Sequence, residues 1–134
     1  MFMINKKRII RSFRHEPGNE KSLRSNSVYS MLVDREGLVW IGLFQFGLDY
    51  TMYQSGIFST YRFPPFFDSE GLTVRTIELQ DGEKLIGSRD GLFYLDEKRN
   101  LFRSFKSPEL RSNMIMCTYT FYGNYYIGTY GGGM

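Results

Sequence analysis

Two short carboxylate pairs, Asp34/Glu36 and Asp68/Glu70, are the first residues here whose types suggest chemistry. Glycoside hydrolysis needs two carboxyl groups held several ångströms apart across a substrate cleft. Pairs inside turn-like segments specify no such cleft. His15 is the single histidine and Cys117 the single cysteine. A transition-metal centre draws on several such ligands, so neither a metal nor a cofactor is expected, and no internal disulfide can form. Cys117 closes the apolar run Met114-Ile115-Met116-Cys117 and reads as a small buried hydrophobe rather than a reactive thiol. Gly131-Gly132-Gly133 imitates a phosphate-binding loop, but without the Lys-Ser/Thr pair and helix that such a loop requires. The chain is therefore expected not to be an enzyme.

Composition and charge narrow the partners. The chain of 134 residues is 42% hydrophobic and 17% aromatic, enough for one domain with a core weighted toward strands. Its formal net charge is +3, with Lys6, Lys7, Arg8, Arg11 and Arg14 crowded near the N-terminus. Such cations could meet phosphate, but they read better as solvated side chains on an edge strand. No nucleic-acid partner is expected. No stretch is long or apolar enough to span a bilayer. The basic residues are not followed by the apolar region of about 7–15 residues that a signal peptide needs, so direct membrane insertion is not expected of this segment.

The elements that could position any of these residues come from a repeat. Trp40-Ile41-Gly42, Leu85-Ile86-Gly87 and Tyr126-Ile127-Gly128 each end five residues after a turn glycine: Gly37, Gly82 and Gly123. The repeats are 45 and then 41 residues apart. Units of about 40–45 residues with four short strands are what a β-propeller blade requires. The first unit is expected to hold strands at Val28–Val33, Leu38–Gly42, Gly47–Tyr53 and Ile57–Phe63. The second holds Val74–Leu79, Lys84–Ser88, Gly91–Asp96 and Leu101–Phe105, and the third Ile115–Phe121 and Tyr125–Thr129. Arg8–Phe13 takes the place of Ile57–Phe63, so it reads as the fourth strand of a blade whose first three strands are absent. Identical Leu-Arg-Ser-Asn tetrapeptides enter units one and three, at residues 23–26 and 110–113.

The fold class is accordingly all-β, with eleven strands and no helix: four-stranded antiparallel blades forming a partial propeller of about two and a half blades. Residues 1–21 supply the last strand of a preceding blade and a linker, 22–68 one blade, 69–109 a second, and 110–134 the first half of a third. Trp40 lies mid-strand and reads as packing between blades rather than a sugar platform. Gly37, Gly82 and Gly123 read as turn residues. Gly42, Gly87 and Gly128 read as sites of close strand approach or a bulge. Asn26, Asp34 and Asn113 complete this structural set.

A blade is apolar on both faces and needs neighbours. The expected partners are thus the remaining blades of a longer protein, or a second copy meeting through open blade ends. In a propeller, the loops from strand two to strand three and the connections between blades share one face. Here they carry Phe44, Gln45 and Phe46; Arg89 and Asp90; Tyr130; and Phe66 and Phe67. Exposed phenylalanine beside glutamine and arginine would suit a sugar or a partner protein. The competing reading packs the phenylalanines beneath the loops.

These residues resemble the two-component regulator propeller repeat, which builds the sensor region of hybrid two-component histidine kinases common in gut Bacteroidetes. The family pattern runs roughly Leu-x-x-Asn-x-Val, then Asp-x-x-Gly-x-x-Trp-Ile-Gly-Thr, then Gly-Leu and an aspartate or tyrosine. Leu23, Asn26, Val28, Asp34, Gly37, Trp40, Ile41, Gly42, Gly47, Leu48 and Asp49 match it. The stretch His15–Asn19 before Ser22-Leu23 is similar to the family's connection into a blade. Leu43 replaces the usual threonine, Leu85 and Ser88 replace tryptophan and threonine in unit two, and Tyr126 replaces tryptophan in unit three, which keeps Thr129. The resemblance implies a parent with two seven-bladed propellers, a β-sandwich, a membrane helix, a histidine kinase and a DNA-binding regulator. This sequence carries no sign of those later parts, so phosphotransfer is not expected of it alone. What the resemblance implies is a non-catalytic, ligand-sensing segment of a periplasmic sensor region, with a glycan-derived oligosaccharide as ligand. The alternative is a structural or protein-interaction propeller with no small-molecule ligand. A propeller-type hydrolase or lyase is a third reading.

Overall fold

The computed structural model describes residues 1–4, 9–52, 55–65, 67–80, 82–106 and 108–133. The expectations placed on Lys6, Lys7, Arg8, Tyr53 and Phe66 lie outside these residues. The strands are β1 (Phe2–Ile4), β2 (Ile9–Ser12), β3 (Val28–Val33), β4 (Leu38–Leu43), β5 (Gly47–Met52), β6 (Phe58–Thr60), β7 (Val74–Gln80), β8 (Glu83–Ser88), β9 (Leu92–Asp96), β10 (Leu101–Phe105), β11 (Ile115–Phe121) and β12 (Asn124–Thr129). They form two four-stranded antiparallel sheets, β3-β4-β5-β6 and β7-β8-β9-β10, and two two-stranded ones, β1-β2 and β11-β12. The described residues contain no helix. This is an all-β propeller segment.

The N-terminal strand is not an orphan, and the described strands number twelve rather than eleven. Phe2 pairs with Ser12 and Met3 with Arg11, and the ladder runs on as Phe13 N donates to the Met1 carbonyl at 2.8 Å. Among the described residues that first sheet thus holds two strands rather than one. A three-residue strand is too short to show an alternation in sequence, yet it satisfies backbone groups that β2 would otherwise leave open along that edge.

The repeated tripeptides sit in β4, β8 and β12, the second strand of each sheet. Opposite their glycines, the first strand carries one extra residue, seen as register shifts between Val28/Ser30, Val74/Thr76 and Ile115/Cys117. These are β-bulges. Gly42 and Gly87 also face the next sheet. A methyl on Gly42 would stand 2.8 Å from Val74 Cγ1 and from the Val74 carbonyl, and one on Gly87 would stand 2.6 Å from Ile115 Cγ2. Glycine is thus what lets the first strand of each following sheet lie against the second strand of the one before it.

Three apolar clusters fill the gaps. Trp40, Leu48, Val74, Ile77, Ile86 and Phe93 belong to the cluster between the two four-stranded sheets. Leu23, Val39, Ile41, Leu43 and Phe58 form one on the other face of the first sheet, with Phe13 against it. Leu85, Leu92 and Ile115 join the second sheet to β11-β12. The tryptophan position shows where packing stops: Trp40 is 7% exposed and Leu85 3%, but Tyr126 in the last pair is 41% exposed.

Cys117 departs from the sequence reading, because it is exposed. The bulge at Met116 sets Cys117 opposite Gly128, on the sheet face turned away from β7-β8-β9-β10. Among the described residues no further strand covers that face.

Candidate functional site

One hydrogen bond recurs in each unit and fixes the loop after its second strand. Phe44 N donates to Ser27 O (3.0 Å), Arg89 N to Thr73 O (3.3 Å) and Tyr130 N to Met114 O (2.9 Å). In each case the acceptor immediately precedes the first strand, so the loop is stitched to the connection entering the sheet. In the first unit Gln45, in the left-handed region at φ 61°, adds a second tie to the neighbouring unit. Its N–H donates to Thr73 Oγ1 at 3.1 Å.

Between this loop and the connection from β6 to β7 opens a groove of about 1090 Å³. Gln45 and Phe46 form one wall; Arg62, Asp68 and Glu70 stand on the other. Phe46 is 46% exposed at the rim. Behind it, Arg24 is held by buried Asp49: Arg24 N reaches Asp49 Oδ2 at 3.0 Å and Nε reaches Oδ1 at 2.8 Å. Arg24 Nη2 also donates to the Phe46 carbonyl, fixing the loop from below. Thr60 Oγ1 donates to Asp49 at 3.3 Å. Beneath the groove, Phe67 joins Phe63, Phe93 and Phe102 at centroid distances of 5.1, 4.6 and 5.2 Å. The groove thus has an apolar floor, one exposed ring, an amide, guanidinium groups and carboxylates.

Of the residues proposed from sequence, the structure gathers Gln45, Phe46 and Phe67 in this groove. Phe44 lies outside it, half-buried with its ring 5.5 Å from that of Tyr29. Arg89, Asp90 and Tyr130 are exposed at the equivalent loops of later units and do not line it. Arg24 and Arg62 were missed. The Leu-Arg-Ser-Asn repeat held a signal for Arg24, and Arg62 had none.

The carboxylate pairs stay in their turns. Asp68 accepts from Glu70 N at 3.0 Å. Asp34 accepts from Glu36 N and Leu38 N, each at 2.9 Å, and from Trp40 Nε1 at 2.9 Å. Burial pushes the Asp34 carboxyl up, but the bonds from Trp40, Leu38, Glu36 and Gly37 outweigh it and hold the pKa below its ordinary value.

A second groove, about 900 Å³, lies at the other end of the strands and includes Trp40, Tyr50, Tyr61, Lys84 and Glu97. Buried Lys84 sits 5.1 Å from the Trp40 ring and 5.4 Å from Tyr61, and its Nζ meets Glu97 Oε2 at 2.8 Å. Tyr61 donates to Glu97 Oε1 at 3.0 Å. Burial raises the Tyr61 pKa, as do the hydrogen bond and charge of Glu97. Burial also opposes ionisation of Glu97, yet the Lys84 and Tyr61 hydrogen bonds and the Lys84 charge bring its pKa down. This cation is neutralised where it stands, so the cluster clamps two sheets together rather than offering a free charge. Among the described residues no group of three or more His, Cys, Asp or Glu could hold a metal ion. The described residues hold no helix long and apolar enough to cross a membrane.

Residues 22–45 match the family model described as two component regulator propeller. Among solved structures, the chain is similar to the extracellular domain of a hybrid two component system from B. thetaiotaomicron (26% identity, 84% of this chain and 16% of that one, TM-score 0.67). It is also similar to PorZ, a surface component of the type-IX secretion system of Porphyromonas gingivalis (25% identity, 78% and 16%, TM-score 0.63). The extracellular domain of a one component system from B. thetaiotaomicron shares the fold (22% identity, 87% and 15%, TM-score 0.64). The chain spans about a sixth of the length of these structures. No curated protein matches it.

Proposed function

We infer that this chain, which carries the two component regulator propeller repeat at residues 22–45, is a ligand-sensing segment of the extracytoplasmic sensor region of a hybrid two-component signalling protein. Its ligand is a glycan-derived oligosaccharide, and it performs no catalysis. The observation that carries the reading is the groove beside Phe46: an exposed ring for stacking on a sugar face, next to Gln45, Arg62, Asp68 and Glu70 for hydroxyl groups. Similarity to the extracellular domain of a hybrid two component system supports the setting. In that setting the segment is periplasmic, and transcriptional control belongs to other parts of the parent.

A second reading, a protein-interaction propeller with no small ligand, is favoured by the exposed Met31, Val33, Tyr119, Phe121 and Tyr126. Thermal unfolding against a panel of defined oligosaccharides separates the two. A saturable rise in melting temperature that Phe46→Ala abolishes supports sensing. No shift with any sugar, together with clean capture of one protein partner, replaces it with the interaction module. Turnover of a panel member would refute the non-catalytic assignment.

A further inference from the structure

We propose that Arg75 anchors a binding site for the carboxylate of a small organic acid, placed where the first strands of the sheets converge. β7 packs directly against β3 on one side and β11 on the other, and each of the three is an edge strand of its sheet. In a propeller that shared edge lines the central channel. The three β-bulges fall on it. Their register shifts leave Tyr29, Arg75 and Met116 with no residue opposite on the second strand, and a bulge of this kind re-aims the extra side chain.

The three bulge side chains meet in a row. Arg75 Cζ lies 5.6 Å from the centre of the Tyr29 ring, and Arg75 Nη1 donates to Met116 Sδ at 3.5 Å. The Tyr29 ring in turn lies against that of Phe44. A guanidinium carries five N–H donors. Here one goes to a thioether, a weak acceptor, and the buried Nε has no hydrogen-bond partner. Among the described residues only three lysines and arginines escape full exposure: Arg24, Arg75 and Lys84. Asp49 neutralises Arg24 and Glu97 neutralises Lys84. No described carboxylate forms an ion pair with Arg75. Its sheet is packed on both faces, so these surroundings are set by neighbours on either side.

A partly buried charge calls for a counter-charge. The terminal nitrogens of Arg75 match the two oxygens of a carboxylate. What flanks them is apolar, the Tyr29 and Phe44 rings and the Met116 thioether, which suits a carboxylate on a ring-shaped or apolar body better than inorganic phosphate. Arg89 N donates to the Thr73 carbonyl, two residues before Arg75, and roots a second exposed guanidinium at this end of the strands, with exposed Asp90 beside it. Tyr29, Arg75 and Met116 do not line the Phe46 groove, so the site is independent of what that groove binds.

The test follows the arginine Nε–Hε resonances of the unsubstituted chain by 15N NMR during titration with benzoate, benzamide and phosphate. The Arg75 resonance is assigned by its absence in Arg75→Lys. The expected result is a saturable shift of that resonance with benzoate, at an affinity roughly tenfold or more above that for benzamide or phosphate. Benzoate binding measured by calorimetry should fall by a similar factor in Arg75→Gln and persist in Arg62→Gln. An Arg75 resonance that stays still while benzoate is raised to tens of millimolar overturns the proposal, and this reading needs no variant to fold. An equal response to benzamide would make the contact merely apolar, and an equal response to phosphate would make it merely ionic; either overturns the organic-acid assignment. Undiminished binding to a folded Arg75→Gln chain would place the anion elsewhere.

Discussion

Asp34 does two jobs with one carboxylate: it closes the β3-β4 turn through Glu36 N and Leu38 N, and it orients Trp40 through the indole N–H. Hydrogen bonds to a charged group contribute about 1.5–3 kcal/mol, so Asp34→Ala should lower stability by about that amount in urea titration. Asp34 and Glu97 both have pKa values lowered by folding, from ordinary values of 3.8 and 4.5. A lowered carboxyl stabilises the fold above its unfolded pKa and loses that contribution as pH falls through the folded one. Through these two groups the melting temperature should decline below about pH 4.5, less steeply in Glu97→Gln. Propeller geometry made Gln45 and Phe46 legible in the sequence, because loop position follows from the repeat. Lys84 and Glu97 were not legible: a lysine in a second strand looks like a solvated charge until the neighbouring sheet lays Trp40 and Tyr61 over it. Cys117 looked buried because its neighbours are apolar, and only the bulge reveals which face it takes.

Glycine works differently at the two ends of the second strand. Gly37 has φ 84° and open space around its missing side chain, so Gly37→Ala carries only a conformational cost of about 1–2 kcal/mol. Gly87 has ordinary backbone, but a methyl would meet Ile115 and Thr76 within 2.6 Å. Overpacking of that kind costs about 1–3 kcal/mol, and here it bears on the seating of β11-β12. Gly87→Ala should accordingly speed amide exchange in β11 and β12 while leaving β3-β6 protected, whereas Gly37→Ala should not. Equal exchange in both variants would contradict this division of roles. Most strands lie within a residue or so of their sequence-read limits because turn glycines and apolar runs punctuate them. β6 is shorter than expected, and β1 was invisible because its pairing with β2 carries the only sign of it.

At the scale of the whole molecule, the chain spans about a sixth of the structures it is similar to. The sheet β7-β8-β9-β10 is packed on both faces, whereas β3, β11 and β12 expose tyrosine, phenylalanine and methionine. The sensing assignment is tested most directly by amide hydrogen exchange, measured with and without the oligosaccharide that gives the largest thermal shift. Protection centred on residues 45–48 and 60–63, which line the Phe46 groove, is the expected result. Protection confined to β3, β11 and β12, or no change under any sugar, would contradict it.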